Sequence, residues 1–407
     1  MVLRKLFSDS VVTTVSQLVS TLVPLCIFAV SSKAYGTAVF YSNLVTLSLM
    51  GFFSLVNDAG LYQYYVKCFS EDRYNKKKLG WWIGVVVSQK ILTCLTCLLI
   101  LFLLTFFDNY QGIINFLLIG TVGAVFQAFQ PIWYYTGVEK MAIYAVANLL
   151  VKVSSLLLMY LLFSYFENDY IPVICFTFSN VILTVYLVFE IKRQRFTYSN
   201  VSLKDVLTMM STARLYLFSR TLASISTYLI VLVLGVTEFS LAGVFAIADQ
   251  IYKAVKLSVS PIVQVIIPYC IRTKDMKFLV YFSLVLSTIV LLLYFLIDQI
   301  LLDVVNLIWG VIPENGELII YMYTYAGMIS MLNAVLGFPW FAILGFYDKA
   351  NSSLILATFF SMTVLLYSFY RDLSFLAYVV VISELSLLVL RLLHLAWLEY
   401  KLTFSER

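Results

Sequence analysis

Twelve apolar stretches of roughly 20 residues or more follow one another along the chain, and they constrain its fold more than any other feature. They run at about 11–31, 37–66, 80–107, 112–136, 142–166, 170–190, 207–234, 241–268, 278–301, 317–345, 352–370 and 373–397. Each is long enough to cross about 30 Å of hydrocarbon as an α-helix. In lipid a helix satisfies its own backbone hydrogen bonds, so an all-α integral membrane protein is expected. Composition agrees: 62% of the 407 residues are hydrophobic and 12% charged. A water-soluble globule of this length has too little interior for that much apolar surface. Soluble enzymes and nucleic-acid binders are excluded. The first stretch is long and ends in "AVSSKAYG", which lacks the small-residue pattern of a cleaved signal peptide.

Charge orients the helices. With the N-terminus in the cytoplasm, the inner segments carry eighteen Lys and Arg, and the outer ones only Lys33 and Arg371. By the Lys/Arg bias of cytoplasmic loops, both termini are expected inside and the number of spans is even. The net charge of +5 follows from the same bias and does not ask for nucleic acid. The outer segments are short and hold no folded domain. Six cysteines lie mostly in or beside apolar runs, and the chain has a single His, so no metal site is expected and Cys94-x-x-Cys97 reads as packing. There is no Gly-x4-Gly-Lys-Ser/Thr loop, Gly-x-Gly-x-x-Gly, His-Glu-x-x-His or Gly-x-Ser-x-Gly. No cofactor is expected, and transport is a better reading than catalysis.

The longest inner loop, about Ile191 to Val206, falls at the midpoint, and the two halves resemble each other. Gly36 answers to Gly243 and Trp133 to Trp340, both at an offset of 207; Gly137 answers to Gly345 at 208 and Lys140 to Lys349 at 209. The reading is two six-helix lobes, residues 1–200 and 201–407, related by a parallel pseudo-two-fold repeat. In transporters built this way substrate binds between the lobes.

Charges inside spans are costly and mark a cavity or pathway by default. Seven cations fall there (Lys90, Lys152, Arg214, Arg220, Lys253, Lys256 and Arg391) against three acids, Asp58, Asp249 and Glu384. A cationic interior asks for an anionic substrate. Asp249, Lys253, Lys256, Ser260 and Gln264 share one helix face, as do Tyr144, Asn148, Lys152 and Ser155, and as do Ser54, Asp58, Tyr62 and Tyr65. Glu384, Arg391 and His394 line the last stretch. Blander readings stand beside these. Arg214 suits an interfacial segment, Arg391 a side chain snorkelling to the inner surface, Lys90 a structural cation, and Asp249 and Lys253 can neutralise each other.

Four segments then carry a family resemblance: "AYGTAVFYSNLVTLSLMGFFSLVNDAGL", "QPIWYYTGVEKMAIYAVANLLVK", Phe218 to Tyr269, and "FPWFAILGFYDKAN". They resemble the Wzx-type O-antigen/polysaccharide repeat-unit flippases, the polysaccharide branch of the multidrug/oligosaccharidyl-lipid/polysaccharide exporter superfamily. The resemblance implies transfer of an undecaprenyl-pyrophosphate-linked oligosaccharide from the cytoplasmic to the periplasmic leaflet of the bacterial inner membrane, by alternating access. It implies helices 1, 2, 7 and 8 around the central cavity, a monomer embedded among membrane lipids, and room for contact with the polysaccharide polymerase machinery. Arg220, Lys253 and Lys256, at one depth, would take the pyrophosphate, which compensates their charge, with Lys152, Arg214 and Asn148 as further substrate contacts. If transport is ion-coupled, the carboxylate is expected among Asp58, Glu384 and Asp249, the last held ionised by Lys253. Two alternatives remain. An O-antigen polymerase or ligase would carry a sizeable periplasmic loop, which is missing. A drug exporter of the superfamily would carry a carboxylate in the first helix, and here Asp9 precedes it.

Overall fold

A computed structural model describes most of the chain; left undescribed are nearly all of residues 1–36, most of 215–238, and short pieces including 197–199, 310–315 and 372–374. The described residues are helical almost throughout and contain no strand. In chain order the helices are α1 (Thr37–Asp58), α2 (Tyr62–Glu71), α3 (Lys76–Leu104), α4 (Asp108–Gln111), α5 (Ile114–Phe129), α6 (Ile132–Gly137), α7 (Met141–Tyr165) and α8 (Ile171–Arg193). They continue with α9 (Leu203–Thr212), α10 (Phe239–Thr273), α11 (Met276–Trp309), α12 (Gly316–Leu336), α13 (Phe338–Leu344), α14 (Tyr347–Arg371) and α15 (Leu376–Ser405). Seven described segments are long and apolar enough to cross a membrane. The first and seventh apolar stretches of the sequence lie mostly outside the described residues.

Three stretches expected as single helices are broken. α1 stops at Asp58 and α2 starts at Tyr62, with Gly60 between them at φ 65°. That left-handed backbone is one that glycine adopts without strain. α5 and α6 are separated at Gln130 and Pro131: proline offers no N–H to the preceding turn and drives the residue before it to extended backbone, here ψ 124° at Gln130. α12 and α13 part at Gly337, with Pro339 in the first turn of α13. The α5–α6 and α12–α13 breaks stand about 207 residues apart, at the two tryptophans of the sequence repeat.

Two compact units divide the chain, Met1–Gly243 and Val244–Arg407. The seventh apolar stretch, which the expected boundary at 200/201 assigns to the C-terminal lobe, lies mostly outside the described residues. In the N-terminal unit α5 packs between α1 and α8, α7 packs on α8, and α3 lies against α1 and α9. The contacts of α5 with α1 and α8 are close because Gly120 and Gly123 face Thr46 and Met50 of α1 and Thr177 of α8. Small residues let membrane helices approach in this way. At one end, Tyr65, Phe69, Trp133, Tyr134 and Tyr135 form a buried aromatic cluster that fixes α2 against α6. In the C-terminal unit α15 packs on α12 and α14, and α11 on α12. α11 leaves Leu284, Leu291, Leu292 and Phe295 exposed, which suits a face turned to lipid.

Candidate functional site

Polar groups gather inside each unit. In the N-terminal unit a cavity of about 380 Å³ opens where the two helix breaks meet. The break between α1 and α2 brings Ser54, Asp58 and Tyr62 to its wall; the break between α5 and α6 brings Gln127, Gln130 and Trp133; α7 adds Tyr144 and α3 adds Lys90. Lys90 Nζ lies 3.7 Å from Asp58 Oδ1, with Lys90 buried and Asp58 one-third exposed. Beneath this pair the amides of Gln89 and Asn57 link α3 to α1 and α2 and brace the end of α1. Tyr65 Oη donates to Gln89 Oε1 at 2.8 Å, Gln89 Nε2 donates to the Asn57 carbonyl at 3.1 Å, and Asn57 Nδ2 donates to the Phe53 carbonyl at 2.9 Å. Cys94 and Cys97 both touch the Asn57 side chain as free thiols.

A chain of polar side chains leads from the cavity wall to Lys152. Tyr144 Oη donates to Gln130 Oε1 at 3.3 Å, and Gln130 Nε2 donates to Asn180 Oδ1 at 3.3 Å. Lys152 Nζ donates to the same Asn180 oxygen at 3.0 Å and to Ser179 Oγ at 3.1 Å, and sits 4.3 Å from the centre of the Phe176 ring. Among the described residues no carboxylate reaches it.

Glu384 is the centre of the second cluster. Its carboxylate accepts from Tyr252 Oη at 2.5 Å and from Asn333 Nδ2 at 2.7 Å, and it lies 3.5 Å from Lys256 Nζ. Lys256 Nζ also donates to Tyr252 Oη at 2.8 Å. Three helices, α10, α12 and α15, are thereby joined through one buried acid. Two turns along α15, Arg391 Nη1 donates to the Asn333 carbonyl beside the Gly337 break. One turn before Lys253, Asp249 pairs with it at 2.5 Å.

The expected anion site therefore looks different in detail. Arg220 lies outside the described residues. Lys253 and Lys256 do not stand bare: i, i+4 spacing on α10 gives Lys253 its acid, and α15 supplies Glu384 to Lys256. The Lys256 side chain still keeps about half its surface open, at 47%. Arg214 is exposed just beyond α9, and Asn148 Nδ2 donates to Ser16 Oγ at 2.9 Å rather than to the Lys152 group. Sequence reading did not find Tyr252, Asn333, Ser179 and Asn180 as partners. Tyr252 was visible as the i−4 neighbour of Lys256, whereas Asn333 and the adjacent Ser179 and Asn180 sit in apolar runs and gain meaning only from helices that pack across them. No group of three metal-ligating side chains occurs among the described residues.

The fold is similar to that of several solved membrane transporters, some of them of the MOP superfamily. A multidrug-resistance MATE transporter in its inward-facing conformation shares 13% identity, covering 98% of this chain and 95% of its own, with a TM-score of 0.61. The lipid II flippase MurJ, in an inward closed conformation, gives 13%, 96%, 87% and 0.66. A MOP superfamily transporter from Pyrococcus furiosus gives 12%, 98%, 96% and 0.56. Among curated proteins none matches the sequence. The family model of polysaccharide biosynthesis proteins matches residues 6–274, two thirds of the chain. The chain belongs to that family, as a multi-pass membrane protein.

Proposed function

We propose that the protein is a flippase that carries a polyprenyl-pyrophosphate-linked oligosaccharide, of the undecaprenyl type, from the cytoplasmic to the periplasmic leaflet of a bacterial inner membrane. The observation that carries this reading is the polysaccharide-biosynthesis family match on a fold shared with a lipid flippase. The charge bias supports a cytoplasmic location for both termini. On this reading the protein is a transporter rather than an enzyme, works as a monomer, and hands its cargo to the polysaccharide polymerase machinery.

The polar clusters suit an anionic lipid carrying a sugar. Lys256 is held by Glu384 and Tyr252 on one side and open on the other, so a pyrophosphate oxygen can take the open side. Such an oxygen then competes with Glu384 for the ammonium. A change of helix packing around α10, α12 and α15 that restores the Lys256–Glu384 pair would expel the anion. Alternating access thus has a local counterpart in which one acid and the substrate exchange places.

A cellular experiment tests the reading. Removal of the protein should leave lipid-linked repeat units complete but confined to the cytoplasmic leaflet, as read by a membrane-impermeant lectin on sealed spheroplasts. Repeat units that reach the outer surface but stay unpolymerised would instead mark a polymerase.

A further inference from the structure

We propose that the cavity of the N-terminal unit is a saccharide subsite, which binds one neutral sugar ring of the transported head group. The inference rests on the flippase reading and adds to it a place and a chemistry for the sugar.

Charge comes first. Asp58 and Lys90 face each other at 3.7 Å on the cavity wall, so their charges cancel. A site of that kind draws neither a pyrophosphate nor an organic cation with any force. It is nonetheless rich in hydrogen-bonding groups, which is the combination a neutral polyol requires.

The individual groups match such a ligand. Trp133, Tyr62 and Tyr144 give the wall aromatic surface, and the C–H faces of a pyranose ring pack on such surface as apolar area. Gln127 and Ser54 also reach the wall, and among the described residues their side chains make no hydrogen bond. Asp58, one-third exposed, spends one oxygen on a loose ion pair and keeps lone pairs for hydroxyl donors. Gln130, by contrast, is committed at both ends, to Tyr144 and to Asn180, so it fixes the wall and leaves Gln127 and Ser54 to do the binding. At about 380 Å³ the space lies at the small end of the ~300–1,000 Å³ usual for ligand pockets, which suits a ring rather than a lipid.

Position agrees with chemistry. The cavity forms where two membrane helices are interrupted, and interrupted helices in repeat transporters line substrate sites. In the orientation set by the charge bias, α1 runs inward and ends at Asp58, so the cavity stands on the cytoplasmic side, where loading begins.

Saturation-transfer NMR on the purified full chain tests the proposal, in an amine-oxide detergent that carries no sugar. The probes are glucose, galactose, mannose, rhamnose, N-acetylglucosamine and N-acetylgalactosamine, with sodium pyrophosphate and tetramethylammonium as charged competitors. At least one sugar should receive saturation, unaffected by either competitor. Ser54→Ala and Gln127→Ala should each weaken its binding about fivefold, the equivalent of one hydrogen bond. Ser54→Ala removes one uncommitted hydroxyl and Gln127→Ala a half-buried side chain that makes no hydrogen bond among the described residues, so the fold should survive both. The proposal is overturned if no sugar of the panel receives saturation, if both variants bind like the parent, or if a charged competitor displaces the sugar. Sugar binding without lipid transfer would leave the subsite standing and remove the flippase reading; lipid transfer without sugar binding would do the reverse.

Discussion

Glu384→Gln removes a charge while keeping the shape of the side chain, and the structure says what that costs. The amide oxygen still accepts from Asn333 Nδ2, and the amide N–H can donate to Tyr252 Oη, so both interhelical hydrogen bonds have a neutral substitute. What disappears is the attraction to Lys256 at 3.5 Å, discounted because that side chain is 47% exposed. A loss of about 1 kcal/mol is expected. Glu384→Leu removes the two hydrogen bonds as well; at ~0.6 kcal/mol each on average in membranes, and up to ~1.7, the total reaches about 2–4 kcal/mol. The pair itself is isolated by a double-mutant cycle of Glu384→Gln with Lys256→Met, for which a coupling of about 1 kcal/mol is expected. Equilibrium denaturation in mixed micelles, with increasing mole fraction of SDS, provides the assay. Leu no more disruptive than Gln, or a coupling of zero, would refute the view of Glu384 as the joint of α10, α12 and α15.

Further outcomes follow from other parts of the molecule. Gly120→Val places a Cβ 2.6 Å from Thr46 Cγ2 and should destabilise the α1–α5 contact by about 1–3 kcal/mol, read by the same denaturation. Lys152→Met should leave the protein at least as stable as the parent, since Ser179 and Asn180 retain partners in the Phe176 carbonyl and Gln130 while a buried charge is removed; a large loss would show that the charge itself holds α7 to α8. Asp72, between α2 and α3, is pushed up by partial burial, but hydrogen bonds from Lys78 Nζ and Trp82 Nε1 outweigh this and hold it below the usual carboxylate value. Its contribution is therefore full above the unfolded value, about 4, and is lost as pH falls through the folded one. Tryptophan emission from this region should shift on acidification in the parent but not in Asp72→Asn, and identical curves would contradict the assignment.

Much of this structure was legible from helix-length apolar runs, because lipid tolerates few alternatives to helices. The longer described helices overlap the expected stretches but run up to eight residues past their ends, as α11 does at Trp309 and α15 at Ser405. The breaks were harder. Pro131 and Gly337 were visible as letters, but whether a helix kinks or stops there depends on what its neighbours supply to the freed backbone groups. The polar clusters were legible only in part, because side-chain spacing places residues on one face of one helix and does not name the helix opposite. Asp249 with Lys253 belongs to a single helix and could be read directly. Asp58 with Lys90, and Lys256 with Glu384, join different helices, so neither pairing could be read from spacing along one helix.

Transfer between leaflets by the purified chain alone is the measurement that bears most directly on the central claim. Proteoliposomes would contain the full chain and a trace of fluorescent polyprenyl-pyrophosphate oligosaccharide in both leaflets, with a membrane-impermeant lectin added outside. The account predicts that the lectin reaches the whole probe pool with time, against the outer-leaflet fraction alone in protein-free vesicles, and that Lys256→Ala slows the transfer. Folded, correctly inserted protein that leaves the inner pool as protected as in protein-free vesicles would contradict it.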